Sequence, residues 1–148
     1  MRDSLYLNGT NKDWNLTDYL KILPAIVIAI IIFYFSSLSN PLPAVPPGPP
    51  SLIDINVLLH ICEFAGFSFF VAFGYFNKFN VKYTVLFTVI YAILDEVHQY
   101  FVPYRYFDIF DIFIDIIGIT IGFIVFISSK YLIERLYNRR EANIIDQP

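Results

Sequence analysis

The sequence is short of charge and of cysteine. Asp, Glu, Lys and Arg make up 16% of its 148 residues, against 57% hydrophobic and 19% aromatic. A soluble domain of this length needs more charge than that to cover its surface. A single cysteine, Cys62, excludes an intrachain disulfide, and its apolar neighbours lead us to expect a packing residue. A basic excess is also missing. Ten Lys and Arg stand against thirteen Asp and Glu, a net charge of −3, which leaves no footprint for nucleic acid. There is no internal repeat and no HExxH zinc motif. With a mean hydropathy of +0.58, the composition is that of a small polytopic membrane protein.

What the sequence does have is apolar length. Four stretches are expected to span, at about 20–38, 57–76, 83–101 and 108–132. The first covers roughly 28 Å at 1.5 Å per residue, close to the hydrocarbon thickness. It is too long for a cleaved signal peptide, and three more follow. Pro24 lies near its start, where a missing N–H costs least. The connection "NPLPAVPPGPPSLID" holds six prolines and favours an extended, polyproline-like loop. A short "NKFN" turn pairs the second and third spans antiparallel, and Pro103 ends the third.

The expected fold is all-α: four transmembrane helices in an antiparallel bundle. Residues 1–19 form an N-terminal segment, 20–132 the membrane domain with its outer proline-rich loop at about 39–56, and 133–148 a fraying polar tail. Basic residues orient it. Arg2, Lys12, Lys21, Lys78, Lys82, Lys130, Arg135, Arg139 and Arg140 all fall on one side of the weave, and only Arg105 on the other. Both termini are therefore expected in the cytoplasm of a multi-pass cell-membrane protein. Trp14 and Tyr19 suit an interfacial belt on that side.

The same weave gathers polar residues at the outer face. His60 and His98 fall there, with Asp54, Glu63, Asp95, Glu96, Asp108, Asp111 and Asp115, seven of the thirteen acids. Asp95, His98 and Gln99 share one helix face, with Glu96 turned about 100° from them toward water or headgroups. Asn56, His60 and Glu63 share another. Asp108, Asp111, Asp115, Gly118 and Gly122 form one stripe whose glycines allow a neighbouring helix close. Seven carboxylates against one arginine require protonation, hydration or a bridging cation. Arg105 is expected to form a bidentate pair with Asp95, Asp108 or Asp111.

Three readings fit such a cluster. It is a structural hydrogen-bond network, a site for a polar headgroup, or a centre for acid–base or metal-assisted chemistry. Candidate catalytic residues are His60, Glu63, Asp95, His98 and Arg105. Candidate binding residues are Asp95, Glu96, Gln99, Arg105, Asp108, Asp111 and Asp115. His60, Glu63, Asp95 and His98 are the candidate metal ligands, for a divalent cation; no other cofactor is called for.

Three blocks carry a family resemblance. "FYFSSLSNPLPAVPP", "HICEFAGFSFF" and "LDEVHQYFVPYRYFDIFDIFIDIIGITIG" occur in order and cover roughly residues 33–122. The chain resembles the VanZ-like membrane proteins, named for a teicoplanin-resistance protein. The family pattern falls on His60, Glu63, Asp95, Glu96, Gln99, Pro103, Arg105, Asp111 and Asp115. One departure is Asn56-Val57 where many relatives carry Asp-Lys, which removes a countercharge from an acidic site. The resemblance implies an outer-face pocket for an envelope lipid or cell-wall precursor headgroup, with a link to glycopeptide resistance. An enzyme acting on such a headgroup and a structural partner subunit are the alternatives. Membrane lipids are the expected partners, and the oligomeric state is open.

Overall fold

A computed structural model describes residues 14–39, 55–75 and 81–145, with side chains placed through residue 142. Four helices make up the described chain, with no strand among its residues: α1 (Leu16–Ser36), α2 (Ile55–Tyr75), α3 (Val81–Tyr100) and α4 (Ile109–Ile145). Asp54, most of the proline-rich loop and the turn between α2 and α3 lie outside the described residues.

Helix α1 starts before its apolar run does. Asn15 caps it, accepting from the Asp18 backbone N–H at 3.0 Å, and Asp18 accepts in return from Asn15 N–H at 3.2 Å. That reciprocal box satisfies two N–H groups that the helix start would otherwise leave unpaired. Starting at Leu16 puts Pro24 inside α1 rather than near its beginning, so one intrahelical hydrogen bond is absent there. Trp14 closes the same end of the bundle, its ring 5.4 Å from Tyr19 and 5.9 Å from Tyr75.

Helix α4 corrects the sequence reading at its other end. Expected to finish near residue 132, it continues through Ile145, for 37 residues in all. Hydropathy marks where apolar side chains stop, whereas Glu, Arg, Leu and Ala continue a helix readily in water. Residues 133–142 are therefore helical and exposed instead of frayed.

Helix α2 sits at the centre and packs against α1, α3 and α4. Ile32, Phe64, Phe67, Val71, Ala72, Ala92 and Ile119 form the buried core. Tyr91 ties α3 to α1 by donating to the Ala29 carbonyl at 2.7 Å. Close approach of α2 and α4 depends on two glycines. A Cβ on Gly118 would lie 2.7 Å from the Ile61 carbonyl oxygen, and one on Gly122 would meet Ala65 and Ser68. Beside them, the Ser68 hydroxyl donates across to the Ile119 carbonyl at 3.0 Å. Small residues plus a cross-helix hydrogen bond are the devices that join helices lacking a hydrophobic drive between them.

The outside of the bundle is apolar. Ile26, Ile30, Phe33, Leu86, Phe110 and Phe113 are all exposed. Helices α1, α2 and α4 are long and apolar enough to cross a membrane. Helix α3 falls outside that group, because Asp95, Glu96, His98 and Gln99 crowd its last turns.

Candidate functional site

The ends of α1 and α3 and the starts of α2 and α4 meet at one end of the bundle, around a cavity of about 440 Å³. Ser36, Asn56, His60, Glu63, Gln99, Arg105 and Asp111 line it, with Phe35 and Tyr104 at its apolar edge. Alternating helix direction is what brings residues from four separate segments to this end.

Helix α3 supplies the hub. Asp95, Glu96 and Gln99 are all buried, Glu96 completely. The Gln99 amide nitrogen donates to Asp95 Oδ2 and to Glu96 Oε1, each at 3.0 Å, while its oxygen accepts from Arg105 Nη1 at 3.0 Å. One amide thus joins two acids to the arginine. Asp95 also accepts from the Ser36 hydroxyl of α1 at 2.8 Å.

Glu96 is where the sequence reading misplaces a side chain. Expected to face water or headgroups, it points inward and accepts from the Asp108 backbone N–H at 3.2 Å. Adjacent helical positions diverge by about 100°, but α3 has neighbours on more than one side. Asp95 therefore reaches α1 while Glu96 reaches the start of α4, and both are interior. Asp108 itself is exposed and caps α4, its Oδ1 accepting from the Phe110 N–H at 2.8 Å.

Arg105 arrives from the connection between α3 and α4. Tyr104 adopts φ 64°, the left-handed region that a non-glycine residue enters at a cost of about 1–2 kcal/mol. The bend lets Arg105 N–H donate to the Val102 carbonyl at 3.1 Å and turns its side chain into the cavity. Nε donates to the Leu38 carbonyl at 3.1 Å and Nη2 to the Phe35 carbonyl at 3.4 Å. The bidentate pair expected with Asp95, Asp108 or Asp111 is not what holds it. Among the described residues its hydrogen bonds go to Gln99 and to two carbonyls of α1's end.

Across the cavity, His60 Nδ1 lies 2.9 Å from Asp115 Oδ1, an imidazole of α2 against a fully buried carboxylate of α4. Asp115 belongs to the same face as Gly118, so the glycine contact that draws α2 and α4 together also sets this pair. His98 lies elsewhere. It is half-buried against α1, 3.0 Å from the Ser37 hydroxyl and stacked on Phe33 at 4.5 Å.

The VanZ/LLP1 family model matches residues 20–133. The chain belongs to the VanZ/LLP1 family. No curated protein and no solved structure matches it.

Within this VanZ/LLP1 chain the candidate site therefore gathers Ser36, Asn56, His60, Glu63, Asp95, Glu96, Gln99, Arg105, Asp111 and Asp115. Among the described residues, the expected metal set of His60, Glu63, Asp95 and His98 is not the group that converges. The acids that join His60 within sharing distance are Glu96 and Asp115. Ser36 is a cavity residue that the sequence reading does not single out. Its signal was its place in "FYFSSLS", a hydroxyl at an apolar helix's exit, where a buried acid on a neighbour needs a donor.

Proposed function

We propose that this protein is a multi-pass membrane protein whose cavity binds the polar headgroup of an envelope lipid or cell-wall precursor at the outer leaflet. Helix α3 is read as a fourth span, its acids turned inward and its Leu86, Ile90 and Leu94 turned to lipid. The split of basic residues supports cytoplasmic termini and an outward-facing cavity.

The observation that carries this reading is the state of Arg105. It lines the cavity, yet backbone carbonyls and an amide hold it in place of a carboxylate. Three donors fix the guanidinium plane, and two of its five N–H groups have no described partner. A planar, positioned cation of this kind suits a phosphate. Glu63 and Asp111, which line the same cavity, suit hydroxyl or amino groups on the same headgroup. Binding there would change how a glycopeptide-like drug engages the surface.

The test is lipid retention. Wild-type protein purified in mild detergent is expected to carry a phosphate-bearing lipid visible by native mass spectrometry, and Arg105→Ala to lose it while still inserting. Equal retention by both proteins would refute headgroup capture at this cavity.

A second reading, an enzyme acting on the headgroup, draws on His60. An imidazole lining a cavity and oriented by a buried carboxylate is an acid–base arrangement. Turnover of the retained lipid by wild-type protein, abolished in His60→Gln, would favour it over simple binding.

A further inference from the structure

Three side chains from three helices meet beneath the cavity. One ligand-type atom from each of His60, Glu96 and Asp115 lies within 4.8 Å of the other two. No spacing in the sequence pairs Glu96 with the others, since 36 and 19 residues separate them along the chain. The fold alone makes the group.

A second observation concerns Asp115 on its own. The residue is fully buried, and its Oδ1 is matched to His60. Among the described residues its Oδ2 has no hydrogen-bond partner. A buried polar atom in that state is rare and needs a reason. Glu96, by contrast, is held firmly: Gln99 donates to one oxygen and the Asp108 backbone to the other. Each of those oxygens keeps a further lone pair. Outer hydrogen bonds that orient a carboxylate are the usual support of a metal ligand.

We propose that His60, Glu96 and Asp115 form a buried site for one divalent transition-metal cation of the Zn²⁺ or Mn²⁺ class, entered from the cavity that His60 lines. One imidazole and two carboxylates make an N,O donor set suited to Zn²⁺, Mn²⁺ or Fe²⁺ more than to Ca²⁺ or Mg²⁺, which take oxygen alone. Two ionised carboxylates also balance the cation's charge, so the ion and its ligands enter the low-dielectric interior as a neutral group. Tetrahedral ligands about 2.1 Å from a metal stand about 3.4 Å apart, so closure needs only side-chain adjustments of about an ångström. The His60–Asp115 contact holds two of the three side chains together. Asp115 Oδ2, with no described hydrogen bond, has a lone pair to offer an ion. Three protein ligands leave at least one coordination position open. This inference stands on the side-chain set and not on the headgroup reading.

The experiment uses the full chain in detergent, stripped by chelator and dialysed against Zn²⁺ or Mn²⁺. Elemental analysis is expected to find one ion per chain, with a raised thermal midpoint. Glu96→Gln and Asp115→Asn are each expected to weaken binding at least about tenfold. His98→Gln, which alters a histidine outside the group, is expected to bind as wild type does. X-ray absorption on the wild-type zinc protein covers the case in which a variant fails to fold: one imidazole with oxygen otherwise is expected. A wild-type chain that stays free of both metals, unweakened binding in both acid variants, or a zinc shell containing sulfur or two imidazoles would each overturn the site. The lipid-retention outcome for Arg105→Ala is read separately, so either proposal can fail alone.

Discussion

Arg105 Nη1 donates to Gln99 Oε1 at 3.0 Å, and through that amide the guanidinium is coupled to Asp95 and Glu96 without touching either. Counting charges along the sequence points to an ion pair. The fold places a neutral spacer between the ions instead, so the arginine keeps its charge available to the cavity.

Substituting the arginine conservatively therefore separates shape from charge. Arg105→Lys keeps the charge but cannot reach Leu38, Gln99 and Phe35 at once, because it lacks the planar fork. We expect it to insert normally and to retain lipid as poorly as Arg105→Ala. Restored retention in the lysine variant would mean that charge alone suffices.

Tyr104 controls where that fork points. Its φ of 64° is tolerated by Gly and strongly disfavoured for β-branched residues. Tyr104→Gly is expected to keep lipid retention and Tyr104→Val to lose it, with both variants inserted. The comparison fails if Val retains lipid as Gly does.

At Gly118 even one methyl group is expected to matter. With the Ile61 carbonyl oxygen 2.7 Å from the Cβ position, Gly118→Ala is expected to cost about 1–3 kcal/mol in detergent, measured as a lowered unfolding midpoint. Gly118→Leu is expected to give little folded protein. An unchanged midpoint in the alanine variant would contradict the close α2–α4 contact.

Topology can be read with thiol labels in a Cys62→Ser background. Tyr106 lies beside the cavity and Tyr137 on the far extension of α4, and both are exposed. An impermeant maleimide is expected to label Tyr106→Cys on intact cells, and Tyr137→Cys only after permeabilisation. The reverse pattern would put the cavity in the cytoplasm.

The bundle was legible in the sequence because four apolar runs, a proline loop and a short turn leave few ways to weave. The stripe from Asp111 to Gly122 was legible too, since steps of three and four fix one helix face. The start of α1 was not legible from apolar length, which sets it four residues late; the Asn15–Asp18 capping box marks the true start. Glu96 was not legible. Periodicity assigns directions around a single helix, but which directions are interior depends on how many neighbours that helix has. The same limit hid the convergence of His60, Glu96 and Asp115, which no local spacing encodes.

Helix α4 reaches well beyond its last buried side chains, Phe123 and Phe126. From Phe126 to Ile145 it extends about 28 Å at 1.5 Å per residue. One unbroken helix therefore carries Asp111 and Asp115 near its start and Arg135, Arg139 and Arg140 near its other end. The acidic cavity and a basic outer surface are two ends of a single strut.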